Sequence, residues 1–174
     1  SYHKALAIKP NYAEAHRYLG ITLQGLGKLD EAEASYQKAL SIKPDYLSVR
    51  HMLNSLLGNT TDCPPRQYVE EQFNLYAKTF ENHLVNIRRY KMPSLLKEVF
   101  LDLNLVEGKL RKVIDLGCGT GLAGVEFRDI AGSLIGIDLS ENMVGEAKKK
   151  NIYDELYVDD IIDRLESLES KFEL

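Results

Sequence analysis

A twelve-residue phrase occurs twice near the start of this chain, as SYHKALAIKPNY at Ser1–Tyr12 and SYQKALSIKPDY at Ser35–Tyr46, offset by 34 positions with nine of twelve residues identical. A repeat of that period constrains the fold before any single residue is weighed. A unit so short cannot bury its apolar face alone and must stack on its neighbours. The one complete unit, Ala13–Tyr46, places small and apolar residues at Ala13, Leu19, Gly20, Leu23, Gly27, Leu29, Ala32, Tyr36, Ala39, Leu40 and Ile42. Gly20 and Ala32 are small enough to let two helices approach closely, Gly27 frees the backbone for a turn between them, and Pro44 closes the second helix. A third unit begins at Leu47–Leu57 and fades at Gly58.

The pattern His16-x2-Leu19-Gly20-x2-Leu23, followed by Ala32-x3-Tyr36 and Pro44, resembles the tetratricopeptide repeat (TPR). His16 stands where Trp is usual in that family, and Leu23 where Tyr is usual. The resemblance implies an α-helical repeat region over residues 1–57. Two uses are compatible with it: a spacer, or a concave surface that holds an extended protein or peptide partner.

Gly58–Pro65 collects turn formers and two prolines, which marks residues 58–66 as a linker. Beyond it, Val69, Phe73, Tyr76, Ala77, Phe80, Leu84 and Ile87 recur at steps of three and four, the spacing of one apolar helix stripe. Pro93 interrupts the pattern, and Ser94 is a candidate cap for a second helix carrying Leu95, Leu96, Val99, Phe100 and Leu103. Residues 67–109 are thus expected to be helical.

From Leu110 the periodicity changes. Val113–Leu116 reads as a strand that runs into Gly117-Cys118-Gly119-Thr120-Gly121 and then into a helix. Leu134–Ile137 reads as a second strand ending in Asp138, with Ser140 poised to cap the next helix. Leu156–Val158 reads as a third strand ending in Asp159 and Asp160, and Phe172–Leu174 as the start of a fourth. Strands alternating with helices imply a parallel sheet, in which ligands sit beyond the carboxyl ends of the strands. Every candidate residue falls at such an end.

Glycines directly after the first strand remove the β-carbons that would keep a ligand from the backbone. Asp138, 21 positions beyond Gly117, can accept hydrogen bonds from two ribose hydroxyls. An adenosine ligand fits both features. Gly119-x-Gly121-x-x-Gly124 also satisfies the formal dinucleotide pattern G-x-G-x-x-G. Against a nicotinamide dinucleotide stands Asp115, a carboxylate that would repel a pyrophosphate and favour a cationic ligand. The formal match also begins two residues after the glycine that ends the strand.

VIDLGCGTG at Val113–Gly121 resembles the first motif of class I methyltransferases, and GIDLSENM at Gly136–Met143 resembles their second-strand motif. With Tyr157–Ile161 the resemblance spans roughly Lys112–Ile161. It implies a Rossmann-like α/β domain over residues 67–174, with an incomplete core at 110–174 truncated after the third or fourth strand. Its implied cofactor is S-adenosylmethionine. Gly117, Cys118, Gly119 and Gly121 would line the methionine part, with Asp115 near its amino group. Asp138 would hold the ribose, Leu139 and Met143 would flank adenine, Asp160 or Asp159 would accept from its amine, and Ile161 would pack nearby. The following helix offers Asp159 a capping role instead, the core offers Met143 a packing role, and Cys118 reads as a small packing residue with no base beside it.

Remaining features narrow the function classes. A net charge of −4 lacks the basic surface that a nucleic-acid binder needs. Arg88, Arg89 and Lys91, and Lys148–Lys150, read as solvated helix ends. Cys63 and Cys118 form neither a metal pattern nor a disulfide framework, which favours a reducing compartment. His3, His16, His51 and His83 lack metal-ligand spacing. The absence of a long apolar run or signal sequence gives a cytoplasmic expectation. The start at Ser1 inside a helical pattern suggests a fragment, expected to be inactive alone because its sheet would be incomplete. The competing reading is a non-enzymatic scaffold whose nucleotide-binding domain has degenerated.

Overall fold

A computed structural model of the chain describes residues 2–59, 63–103, 108 and 110–168. Its internal contacts separate into two units, Ser1–Val69 and Glu70–Leu174. The proposed fourth strand at Phe172–Leu174 lies outside the described residues.

The first unit holds α1 (Tyr2–Ile8), α2 (Ala13–Gly25), α3 (Leu29–Ile42) and α4 (Leu47–Leu56). Ala32, Tyr36 and Ala39, spaced to share one face of α3, are fully buried. They join Ala13, Tyr46, Val49 and Met52 in the core. Gly20 makes that packing possible, because a β-carbon there would fall 2.5 Å from Cε1 of Tyr36. The Tyr36 hydroxyl donates to Oε1 of Gln24 at 2.9 Å, so the buried ring keeps its polar end satisfied. The turn between α2 and α3 uses Gly27 at φ +76°, a left-handed conformation that side chains disfavour. This arrangement is that of the complete repeat unit.

The helical stripe after the linker forms α5 (Arg66–Glu81), which passes into a π-helical turn at Asn82–Ile87. One continuous α-helix to Ile87 is therefore corrected: the last six residues, with Leu84 and Ile87 of the stripe among them, are wound more loosely. The cap of α6 (Met92–Asp102) is corrected too. Lys91 occupies the cap position, Pro93 sits in the first turn where its missing N–H costs nothing, and the Ser94 hydroxyl donates to the Lys91 carbonyl at 3.0 Å.

The rest of the second unit alternates β1 (Leu110–Leu116), α7 (Leu122–Phe127), β2 (Ala131–Asp138), α8 (Glu141–Lys148), β3 (Glu155–Val158) and α9 (Ile161–Leu168). The strands form one parallel sheet in the order β1-β2-β3. This is the Rossmann-like α/β architecture expected from the alternation. Leu134–Ile137 is buried at every position, as a strand covered on both faces must be. Ile135 and Ile137 pack with Leu168 on one face, joined by Ile114, Tyr157 and Ile161. Register sets Leu116 beside Ile137 and Asp138 beside Val158, so the three strands end along one rim. No helix among the described residues is long and apolar enough to cross a membrane.

Candidate functional site

The loop after β1 is fixed by its neighbour strand. The amides of Gly117 and Cys118 both donate to the Ile137 carbonyl, at 2.8 and 2.9 Å, and the Gly121 amide donates to the Cys118 carbonyl at 2.8 Å. Holding that path puts Gly117, Gly119 and Gly121 at φ +71°, +54° and +87°. A β-carbon at Gly117 would meet nothing within 4 Å, so the loop presents an open backbone surface there.

Asp138 closes onto this loop. Its Oδ2 accepts from the Gly119 amide at 2.8 Å and its Oδ1 from the Ser140 amide at 2.8 Å. A carboxylate has about four lone-pair sites, so each oxygen keeps capacity for a further donor. Ser140 caps α8 as expected, its hydroxyl oxygen accepting from the Met143 amide at 3.1 Å. The same hydroxyl donates to Oδ1 of Asn74 on α5 at 2.7 Å, and Asn74 also accepts from the Asn142 amide and side chain.

Asp115 lies partly buried near the end of β1. Burial pushes its carboxyl above the ordinary range and the charge of Asp138 adds to that, against hydrogen bonds from Tyr153 and the Gly124 amide. Among the described residues, no cation is among the groups that perturb it. Two carboxylates thus share one rim, the charge of Asp138 opposing that of Asp115. Cys118 is buried, and burial followed by the charges of Asp115 and Asp138 pushes its thiol far up. Such a thiol is no nucleophile at neutral pH, in keeping with a packing role.

Asp115, Gly117, Cys118, Gly119 and Thr120 line a cavity of about 140 Å³ together with Leu122, Ala123, Phe80, Leu84, Tyr90 and Pro93. Phe80 is the neighbour that a β-carbon on Gly119 would approach, at 3.9 Å. Beside it, Glu81 accepts from Lys150 at 2.5 Å. Burial alone would raise its carboxyl, but Lys150 and the Thr120 hydroxyl outweigh burial and lower it.

The third strand end joins the same rim through the Asp159 amide, which donates to the Asp138 carbonyl at 3.0 Å. The Asp159 carboxylate accepts from the Asp160 amide and pairs with Arg164 Nε at 3.2 Å. The Asp160 carboxylate accepts from the Ile162 amide at 2.9 Å, so Asp160, not Asp159, supplies the helix-capping oxygen. Ile161 packs against the sheet core, Leu139 is half-buried and Met143 is buried at 1% exposure. The structure therefore joins Asp115, the glycine loop and Asp138 directly, and places Met143 inside the packed face of α8. Sequence reading missed Asn74 and Tyr153. The signal for Tyr153 was present in Gly124 and Gly136, two glycines whose neighbours include that ring. No group of three or more His, Cys, Asp or Glu residues among the described residues is arranged to hold a metal ion.

Residues 113–174 match the family described as "Methyltransferase domain", and residues 13–46 match "Tetratricopeptide repeat". The two matches fall on the Rossmann-like sheet and on the helical repeat unit respectively. No curated protein matches it. Among solved structures it is similar to one described as a DhpI–SAH complex, at 20% identity and a TM-score of 0.43, over 53% of this chain and 44% of that one. The chain spans less than half the length of that structure.

Proposed function

We propose that residues 67–174 bind S-adenosylmethionine as part of a methyltransferase, and that the repeats over residues 1–57 hold a protein or peptide partner, with 58–66 as the linker. The observation that carries the proposal is the rim itself: a partly buried Asp115 and Asp138, with no cation acting on Asp115 among the described residues, flank a glycine loop whose backbone lies open at Gly117. Burying like charges together is unfavourable unless a ligand compensates them. A cationic adenosine derivative does so, whereas a dinucleotide pyrophosphate would add negative charge.

On this reading the glycine loop and Asp115 receive the methionine end, and Asp138 uses its remaining lone pairs for the ribose hydroxyls. Asp159 or Asp160, with Leu139, Met143 and Ile161, forms the adenine side. Bound there, S-adenosylmethionine supplies an electrophilic methyl group on its sulfonium. The chain's own contribution is to orient that group and exclude water, and proximity alone accounts for a large part of such rate enhancements. The intact Asp115, glycine loop and Asp138 favour this over a degenerate scaffold.

Ultraviolet crosslinking of labelled S-adenosylmethionine to the full-length protein tests the proposal. Wild type is expected to label, and Asp138→Ala to lose labelling together with methyl transfer. Labelling that ignores Asp138→Ala would favour the scaffold reading.

A further inference from the structure

Tyr153 lies between α8 and β3, in a segment pinned on both sides. Asn151 turns the chain at φ +51°. The Arg128 guanidinium donates to the Ile152 carbonyl at 3.0 Å and to Asp154 Oδ2 at 2.7 Å. That same oxygen accepts from the Leu134 amide at 2.7 Å, and the Asp154 amide donates to the Leu134 carbonyl at 2.9 Å. With its neighbours so held, the Tyr153 ring has one course.

That course is cleared by glycines from three elements. A β-carbon on Gly121 would fall 3.1 Å from the ring, on Gly124 2.5 Å from Cζ, and on Gly136 2.9 Å from Cε1, with Leu156 Cδ2 also in its way at 2.7 Å. Neither Gly124 nor Gly136 has a positive φ, so backbone conformation does not require glycine there. What these two share is the tyrosine. At the end of the passage, the Tyr153 hydroxyl donates to Asp115 Oδ2 at 2.6 Å.

The groups facing Asp115 are Tyr153, Asp138, the Cys118 thiol and the Gly124 amide. Of these side chains, Asp138 opposes its charge, the thiol stays protonated, and Tyr153 alone supports it with a hydrogen bond. Burial and the charge of Asp115 keep the phenol itself protonated, hence a donor, throughout the ordinary pH range.

We infer that Tyr153 is a positioning residue: it fixes the Asp115 carboxylate and presents its charge to the cationic ligand without touching that ligand. The inference rests on the S-adenosylmethionine reading above, and it gives the third glycine of the formal dinucleotide pattern a different purpose.

Two measurements on the full-length protein test it. The first follows the Asp115 carboxyl resonance by carbon-detected NMR through a pH titration, in wild type and Tyr153→Phe, without ligand. Loss of the hydroxyl should move the Asp115 midpoint to higher pH while resonances of the sheet core stay in place. The second is calorimetric titration with S-adenosylmethionine across pH. Tyr153→Phe should bind about tenfold more weakly near neutrality, the loss expected for a hydrogen bond to a charged group. The acidic limb of its binding profile should shift upward. In an Asp115→Asn background, Tyr153→Phe should change affinity less than about twofold, because the two substitutions break one interaction.

An unmoved Asp115 midpoint in a folded Tyr153→Phe protein overturns the inference. So does a loss of affinity that is equal at every pH and persists in the Asp115→Asn background, since that marks Tyr153 as structural only. If wild type fails to bind S-adenosylmethionine, the functional reading fails and takes the ligand role with it. A shifted midpoint would still identify the Tyr153–Asp115 link, so the two failures are told apart.

Discussion

Two helical glycines in the second unit should respond to alanine with opposite signs. Alanine is favoured over glycine inside a helix by about 0.5–1 kcal/mol. At Gly145, exposed on α8, a β-carbon meets nothing within 4 Å, so Gly145→Ala should gain about that amount. At Gly124, on α7, the new carbon would lie 2.5 Å from Cζ and 3.0 Å from Cε1 of Tyr153. Carbon atoms rest at about 3.5–4.0 Å, so the ring must retreat by roughly an ångström. Gly121 and Gly136 already lie against that ring, and Arg128 and Asp154 hold its backbone. Overpacking of this kind costs about 1–3 kcal/mol, and displacing the hydroxyl from Asp115 gives up a charge-assisted bond of about 1.5–3 kcal/mol. Set against the helix gain, Gly124→Ala should lose about 1.5–5.5 kcal/mol, a large share of a domain's stability. Native-state hydrogen exchange of the Leu134 and Ile137 amides reads the second unit alone. Faster exchange is expected in Gly124→Ala and slower exchange in Gly145→Ala. A Gly124→Ala protein as protected as Gly145→Ala would refute the account of the tyrosine passage.

Gly20→Ala should destabilise the first unit by about 1–3 kcal/mol in urea unfolding, because Tyr36 is fully buried and cannot yield to a carbon at 2.5 Å. Asn74→Ala removes the acceptor of the Ser140 hydroxyl and the Asn142 amide. It should weaken S-adenosylmethionine binding severalfold by calorimetry through loosening the Asp138 loop. Asp154 and Asp115 should act on stability in opposite pH directions. The hydrogen bond from Arg128 comes first and the Leu134 amide second in lowering the carboxyl of Asp154, so its contribution is present above about pH 4 and lost as pH falls through the lowered folded value. Burial raises Asp115, so ionising it costs stability as pH climbs from about 4 through the raised folded value. Urea unfolding against pH should therefore show a shallower acid loss in Asp154→Asn and a removed upper-limb loss in Asp115→Asn.

Much of this was legible in the sequence because it depends on spacing. The offset of the two twelve-residue phrases fixed the repeat, and Gly20 and Ala32 marked where helices approach. Glycines after an apolar run and Asp138 after the next one identified the rim. What escaped was decided by partners distant in sequence. Asn74 is a polar position amid an apolar stripe, and its meaning depends on Ser140, which only the fold brings to it. Tyr153 reads as an ordinary aromatic between a helix and a strand until Gly121, Gly124 and Gly136 are seen around it. The π-helical turn at Asn82–Ile87 leaves the apolar residues close enough to α-helical spacing that periodicity could not reveal it. Which acid caps α9 turned on a local competition: Asp159 pairs with Arg164, and Asp160 caps the helix.

On the proposed reading, the rim formed by Asp115, the glycine loop and Asp138 accepts a cationic adenosine ligand. Calorimetric titration of the full-length protein with S-adenosylmethionine and, separately, with a nicotinamide dinucleotide addresses it directly, in wild type and in the isosteric Asp115→Asn. The account expects S-adenosylmethionine to bind wild type and lose about tenfold or more in Asp115→Asn, a loss of about 1.4 kcal/mol or more, while the dinucleotide fails to bind wild type. Dinucleotide binding to wild type, or S-adenosylmethionine affinity indifferent to Asp115→Asn, would contradict it.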